Sequence, residues 1–148
     1  MQSTQKNNTM SRTTHTLAGF AAGLSFESLN PELVRHMKRY LLDALGCGLY
    51  GASLPWARIV NRWVMHQEGK PEATLWLQNF KGPCATVSLG LGVMIHSMDF
   101  DDYHNAKIHP GAPVIPALLT VGELLDASGK EVLTAMAAGY ETMIRISL

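Results

Sequence analysis

Apolar positions recur at helical spacing through most of the chain. Val34, Met37, Leu41, Leu45 and Leu49 are three or four residues apart, which puts them on one face of a helix and leaves Arg35, Lys38 and Arg39 elsewhere. Asn30, Pro31 and Glu32 mark its start: a capping side chain, a ring that pre-sets the first helical dihedral, and an acid on the helix dipole. Gly46, Gly48 and Gly51 cost helix propensity, so they imply a second helix packed very close. After a turn at Ala52–Leu54, Pro55 opens a helix with Trp56, Ile59, Val60, Trp63 and Val64 at helical spacing, closed by Gly69-Lys70-Pro71. Thr74 to Leu77 suits a brief extended piece. From Pro83 to Met98 the apolar run has no strict alternation and is too long for a strand, so a buried helix is expected. Asp99 to Gly111 interrupts it as a polar loop. Pro113 starts the next helix, with Pro116 in its first turn, and the run ends at Ser128-Gly129. Ser128 and Glu131 have the spacing of a capping box for a last helix, on which Leu133, Met136, Tyr140, Ile144 and Ser147 share a face.

The fold class is therefore all-α. Ahead of these elements, Leu17–Leu24 forms a short first helix ending near Ser25, and residues 1–14 are a polar, Ser/Thr-rich tail expected to be disordered. The tail lacks the apolar core of a secretory signal, and an organelle-targeting role stays open beside disorder. Residues 15–148 make one helical domain. The chain stops at Leu148 inside an apolar periodic run without a C-cap glycine, a basic last turn or a following proline, which predicts a truncated domain.

Composition narrows the function. The 148 residues are 47% hydrophobic and 16% charged, with 12 basic residues balancing 12 acidic ones. No net charge draws the chain to a polyanion, so nucleic acid is not an expected partner. The charged fraction is below the roughly 25% of an average soluble domain, which predicts a surface covered by a subunit interface or by further chain. Cys47 and Cys84 have neither metal nor disulfide spacing and lie in apolar surroundings, as buried thiols in a reducing, cytoplasmic compartment would. No stretch is long and apolar enough for a membrane span; Gly82–Met98 contains Pro83, Thr86, Ser88 and His96.

Ionisable groups concentrate in Asp99-Phe100-Asp101-Asp102-Tyr103-His104-Asn105-Ala106-Lys107-Ile108-His109-Pro110-Gly111. Were the preceding helix to persist to Tyr103, His96, Asp99 and Tyr103 would share a face and Asp102 would point away. Asp99 lies between Met98 and Phe100, so its burial is expected. Asp101 and Asp102 fit solvated caps or turns equally well. Backbone N–H groups at the start of the following helix would make an anion site, with Lys107 and His109 just upstream. Asp99, Asp101, His104 and His109 offer donors suited to zinc or manganese, but no metal-binding spacing joins them, and no metal is expected. His15, His36 and His66 fit surface positions, His96 a helix histidine with a satisfied ring, Tyr140 packing, and Arg145 an ion pair. A G-x-S-x-G elbow and a phosphate-binding glycine loop are both absent from the sequence.

The strings LAGFAAGLSFESLNPELVRHMKRYLLDALGCGLYG, HSMDFDDYHNAKIHPGAPVIPALLTVGELLDASG and AAGYETMIR resemble the N-terminal part of the MmgE/PrpD family. Its members include 2-methylcitrate dehydratases, cis-aconitate decarboxylases and an iminodisuccinate epimerase. The resemblance covers nearly everything after the tail. It implies the first portion of a large helical domain, into which family members insert an α+β lid that this chain lacks, and it implies a homodimer. It also implies an active-site acid at Asp99 and an active-site histidine at His109. Tyr103 stands where several members carry threonine, and Leu91-Gly92 where an Asn-Gly pair is common. A second catalytic histidine and the substrate-binding lysines of the family lie beyond the residues present here.

The implied chemistry is lyase-type: dehydration or decarboxylation of a small polycarboxylate, without cofactor, through carbanion-like or enolate-like character. His109 is the expected proton carrier, since imidazole titrates near neutrality, about pH 6.5. Asp99 would orient it, Tyr103 would donate a hydrogen bond to a carboxylate or developing oxyanion, and Lys107 and His104 would hold the substrate. The isolated 148-residue chain is expected to show little activity on cis-aconitate or 2-methylcitrate. The alternative is an inactive remnant that keeps only a helical dimerisation surface.

Overall fold

A computed structural model describes residues 3–148, with side chains from residue 12 onward. Six helices and one hairpin follow in chain order: α1 (Ser3–Gly23), α2 (Pro31–Gly51), α3 (Pro55–Met65), β1 (Ala73–Leu75), β2 (Phe80–Gly82), α4 (Cys84–His96), α5 (Gly111–Leu125) and α6 (Gly129–Ser147). A 3-10 turn at Phe26–Ser28 links α1 to α2. The architecture is mostly helical, and the antiparallel hairpin pairs Ala73 with Gly82 and Leu75 with Phe80.

Local signals act where the sequence puts them. The Asn30 side chain accepts a hydrogen bond from the Leu33 N–H at 2.7 Å, with Pro31 as the first helical residue of α2. Ser128 and Glu131 form the reciprocal box at the start of α6. Two boundaries move. Helix α1 runs back to Ser3, through residues assigned above to a polar tail; once a helical turn exists, each added residue gains a hydrogen bond, so weak formers are carried along. Helix α5 starts at Gly111 rather than Pro113, which places Pro116 in its second turn.

That proline has a structural partner in α4. Pro116 has no N–H to offer the Ala112 carbonyl four residues back. A Cβ at Gly92 would lie 3.1 Å from that carbonyl oxygen, so a glycine there lets α4 approach α5 closely. Helix α4 is apolar on every side and packs against α2, α3, α5 and the hairpin, as a central helix must. Its Ile95 joins Met37, Ala44, Ile115, Met136 and Tyr140 in one core. Its Val87, Leu91 and Met94 join Ala57, Val64, Ala73 and Leu75 in a second. Glu123 of α5 clamps the hairpin, accepting from Lys81 Nζ at 2.7 Å and from Thr74 N and Oγ1 at 2.8 and 2.6 Å.

Three packing expectations are corrected. In α3 the small residues Ala57 and Val64, with Asn61, face inward, while Trp56, Ile59 and Trp63 are exposed; close helix contact selects small side chains over large ones. Leu49 of α2 also lies outside, and Gly48 and Gly51 take the buried line. Cys47 and Cys84 are free thiols but only half-buried. Burial first, then nearby carboxylates, raises the pKa of both, so neither is an activated nucleophile. Among the described residues, no helix is long and apolar enough to cross a membrane.

The exposed apolar side chains Trp56, Ile59 and Trp63 at helical spacing on α3, with Leu49 and Tyr50 exposed on α2, predict concentration-dependent self-association of the 148-residue chain. Sedimentation velocity should show it, reduced in Trp56→Lys/Trp63→Lys. A concentration-independent monomer would contradict the prediction.

Candidate active site

Helix α4 ends at His96, so no helix carries His96, Asp99 and Tyr103 on a common face. The chain instead turns: the Asp99 N–H donates to the His96 carbonyl, and Asp99 takes the left-handed conformation, φ 50°. That conformation caps helices and is adopted by aspartate more readily than by most residues. It leaves the Asp99 side chain 79% exposed and Phe100 outside, while the Asp101 side chain is only 1% exposed. The expected burial is thus inverted between the two acids. Asp101 is no solvated cap; it is the acid at the base of the site.

Five groups converge there. The His109 ring, 23% exposed, has Nε2 at 3.4 Å from Asp99 Oδ1 and Nδ1 at 3.4 Å from Asp101 Oδ1. His96, which the sequence left as an ordinary helix histidine, has Nδ1 at 2.9 Å from the same Asp101 oxygen and Nε2 at 4.0 Å from Asp99 Oδ1. The two rings meet edge to face, with centroids 4.8 Å apart. Tyr103 stacks its edge on His109 at 5.4 Å and is itself exposed. The cluster therefore pairs two imidazoles with an enclosed carboxylate below and an exposed carboxylate and phenol at its mouth. His96, Asp99 and His109 also offer donor atoms within 4.8 Å of one another.

Asp102 fixes the return of the chain that delivers His109. Its Oδ1 accepts the Gly111 N–H at 2.9 Å, and a Cβ at Gly111 would overlap that oxygen. The first N–H of α5 is thus already taken by the chain's own acid, and Pro113 has none to offer. Burial, opposed by the Tyr140 hydroxyl and the Gly111 N–H and reinforced by the charges of Asp101 and Asp43, raises the Asp102 carboxyl above its ordinary value of 3.8. Tyr140 is buried, stacks on Tyr40 at 5.5 Å, and has its hydroxyl ionisation pushed up by burial and by Asp102.

This shift has a defined sign. An acid with a raised folded-state pKa favours folding in its protonated form; that contribution is complete below the unfolded value and is lost as pH rises through the folded one. Asp102→Asn keeps an acceptor for Gly111 without the charge. Urea unfolding as a function of pH should therefore show a flatter loss of stability just above pH 3.8 in the variant. A slope equal to the wild type would remove Asp102 from that dependence.

The two expected substrate holders are not brought into the cluster. His104 and Ile108 form an isolated antiparallel bridge, and the His104 Nδ1 accepts the Ala106 N–H at 3.1 Å, which folds the ring onto its own turn. Lys107 stands exposed at the tip of that turn with φ 61°. Arg145 pairs with Glu141 at 2.6 Å, as expected. His96 and Asp101 are residues that sequence reasoning weighed, His96 beside Asp99 and Tyr103 on a helix face and Asp101 as a metal donor, but did not retain for the site. The signal available was the five-residue spacing from the last turn of an apolar helix to an acid beyond it.

Residues 15–148 match the model of the MmgE/PrpD N-terminal domain. A cis-aconitate decarboxylase of Mus musculus is 31% identical over 138 residues, covering 90% of this chain and 28% of the relative. One of Homo sapiens is 30% identical, covering 90% and 29%, and one of Aspergillus terreus is 26% identical, covering 95% and 30%. The chain thus spans less than a third of the length of these curated relatives. On the family match, which takes in everything from His15 to Leu148, the chain belongs to the MmgE/PrpD family.

Proposed function

We propose that this chain carries the acid–base part of a lyase site for a small polycarboxylate, and that cis-aconitate decarboxylation is the reaction. One observation carries the proposal: the His109 ring sits between an enclosed and an exposed carboxylate, with Nε2 turned toward the exposed one. The names of the relatives favour decarboxylation over dehydration.

Loss of carbon dioxide leaves the electron pair of the broken C–C bond on carbon, delocalised toward a neighbouring carboxylate. A proton must then reach that carbon. Imidazole can hold and give one near neutral pH, and His109 Nε2 is the atom that would do so. Asp99 orients the ring and Tyr103 offers a phenolic hydrogen bond to the spreading negative charge. The exposed rim of Asp99 and Tyr103 faces outward, where the remainder of a family member would close over substrate.

The test is carbon dioxide release from cis-aconitate by the full-length protein, with 2-methylcitrate dehydration measured in parallel. Decarboxylation supports the proposal. Dehydration alone would replace the reaction, and inactivity toward both would overturn the lyase assignment.

A further inference from the structure

One oxygen of Asp101 faces two imidazoles. It lies 2.9 Å from His96 Nδ1 and 3.4 Å from His109 Nδ1, while the Nε2 atoms of both rings turn toward Asp99. The other Asp101 oxygen is buried without a hydrogen-bond partner, and so is His109 Nδ1. Buried polar atoms are rarely left over. Here a carboxylate acceptor and a ring nitrogen are left over on two groups whose nearest atoms are 3.4 Å apart.

We propose that Asp101 is the positioning residue of this site, a buried carboxylate shared by His96 and His109 that holds both rings with the proton on Nδ1 and so presents two bare Nε2 atoms toward Asp99. An ionised carboxylate only accepts hydrogen bonds, and a neutral imidazole has a single N–H. Asp99 faces the Nε2 atoms, but its side chain is 79% exposed and can accept from water, whereas Asp101, at 1%, has only the two rings; the hydrogen therefore sits on the nitrogen facing Asp101, and the opposite nitrogen is the one free to take up and give a proton. Carboxylates behind imidazoles set tautomer and orientation in this way in other sites. The arrangement makes His96 a second imidazole aimed at the same spot as His109. Its catalytic meaning rests on the function proposed above, whereas the tautomers themselves do not.

Two-bond proton–nitrogen correlation spectra of histidine-labelled protein read each tautomer, with pH raised until the imidazole signals stop moving. The expected result is a protonated Nδ1 and a bare Nε2 on both His96 and His109. Asp101→Asn, whose amide can present its own N–H, should lose that preference on both rings. His96→Gln should leave the His109 tautomer as it is, since it removes only the other ring on the carboxylate. An Nε2–H tautomer at His109 in the wild type would overturn the proposal without any variant, as would an unchanged tautomer in folded Asp101→Asn. In turnover, Asp101→Asn should lower kcat by about 100-fold or more and move KM by less than about threefold. A protein with the expected tautomers but no lyase activity would sustain this inference and refute the function, so the two fail separately.

Discussion

In the full-length protein, His109→Ala is expected to lower kcat for cis-aconitate decarboxylation by about 100-fold or more, the usual contribution of a positioned proton carrier. The ring lies between Asp101 behind and Asp99 in front, and alanine removes the imidazole, the only side-chain group of that residue able to carry a proton. Far-UV circular dichroism and a thermal melt should change little, because the ring is partly exposed rather than part of either apolar core. KM should change less than kcat, since the loss falls on the chemical step. A variant with wild-type kcat would remove His109 from the mechanism.

The second large effect is on stability. Gly51→Ala would place a Cβ on the Met94 carbonyl oxygen, where α2 crosses α4. Backbone cannot step aside as a flexible side chain can, so the helices must separate. Overpacking costs about 1–3 kcal/mol, and the upper end applies against backbone. At that end, Tm falls by roughly 6–12 °C for a domain of this size. Gly46→Ala is the control: a Cβ there meets nothing within 4 Å, so the substitution should gain roughly 0.5–1 kcal/mol of helix propensity. Differential scanning calorimetry of the two variants reads both signs. Equal Tm values would show that the helices do not depend on that close approach.

The glycines of α2 also mark the limit of what the chain's pattern conveys. Close packing at α2 was legible because three glycines in a helix have few other uses, but Gly46 carries none of it and Gly48 meets Trp76 and Ile95. The caps at Asn30 and Ser128 were legible because their partners are three residues away. Strand β2 was not: Phe80–Gly82 is too short to show a period, and its clamp, Glu123, comes 42 residues after Lys81.

The site divides along the same line. His109 and Asp99 were identified from the family resemblance, and Tyr103 lies edge-on against the His109 ring. Asp101 was hidden because hydrophobic neighbours favour Asp99 as the buried acid, while a single left-handed residue at the end of α4 exchanges the two. His96 was hidden because its partner reaches it through that same turn. Lys107 and His104 look suitable by charge and proximity in sequence, yet the tight His104–Ile108 turn keeps them with their own loop.

The central claim is that the His109 imidazole moves the proton, and chemical rescue tests it most directly. His109 lies at an open face beside exposed Asp99 and Tyr103, so free imidazole can reach the gap left in His109→Ala. The account predicts that decarboxylation by this variant rises with added imidazole, saturates, and follows the fraction of protonated buffer in a series of substituted imidazoles. A crippled variant that no imidazole restores, while its fold and substrate binding stay intact, would contradict it.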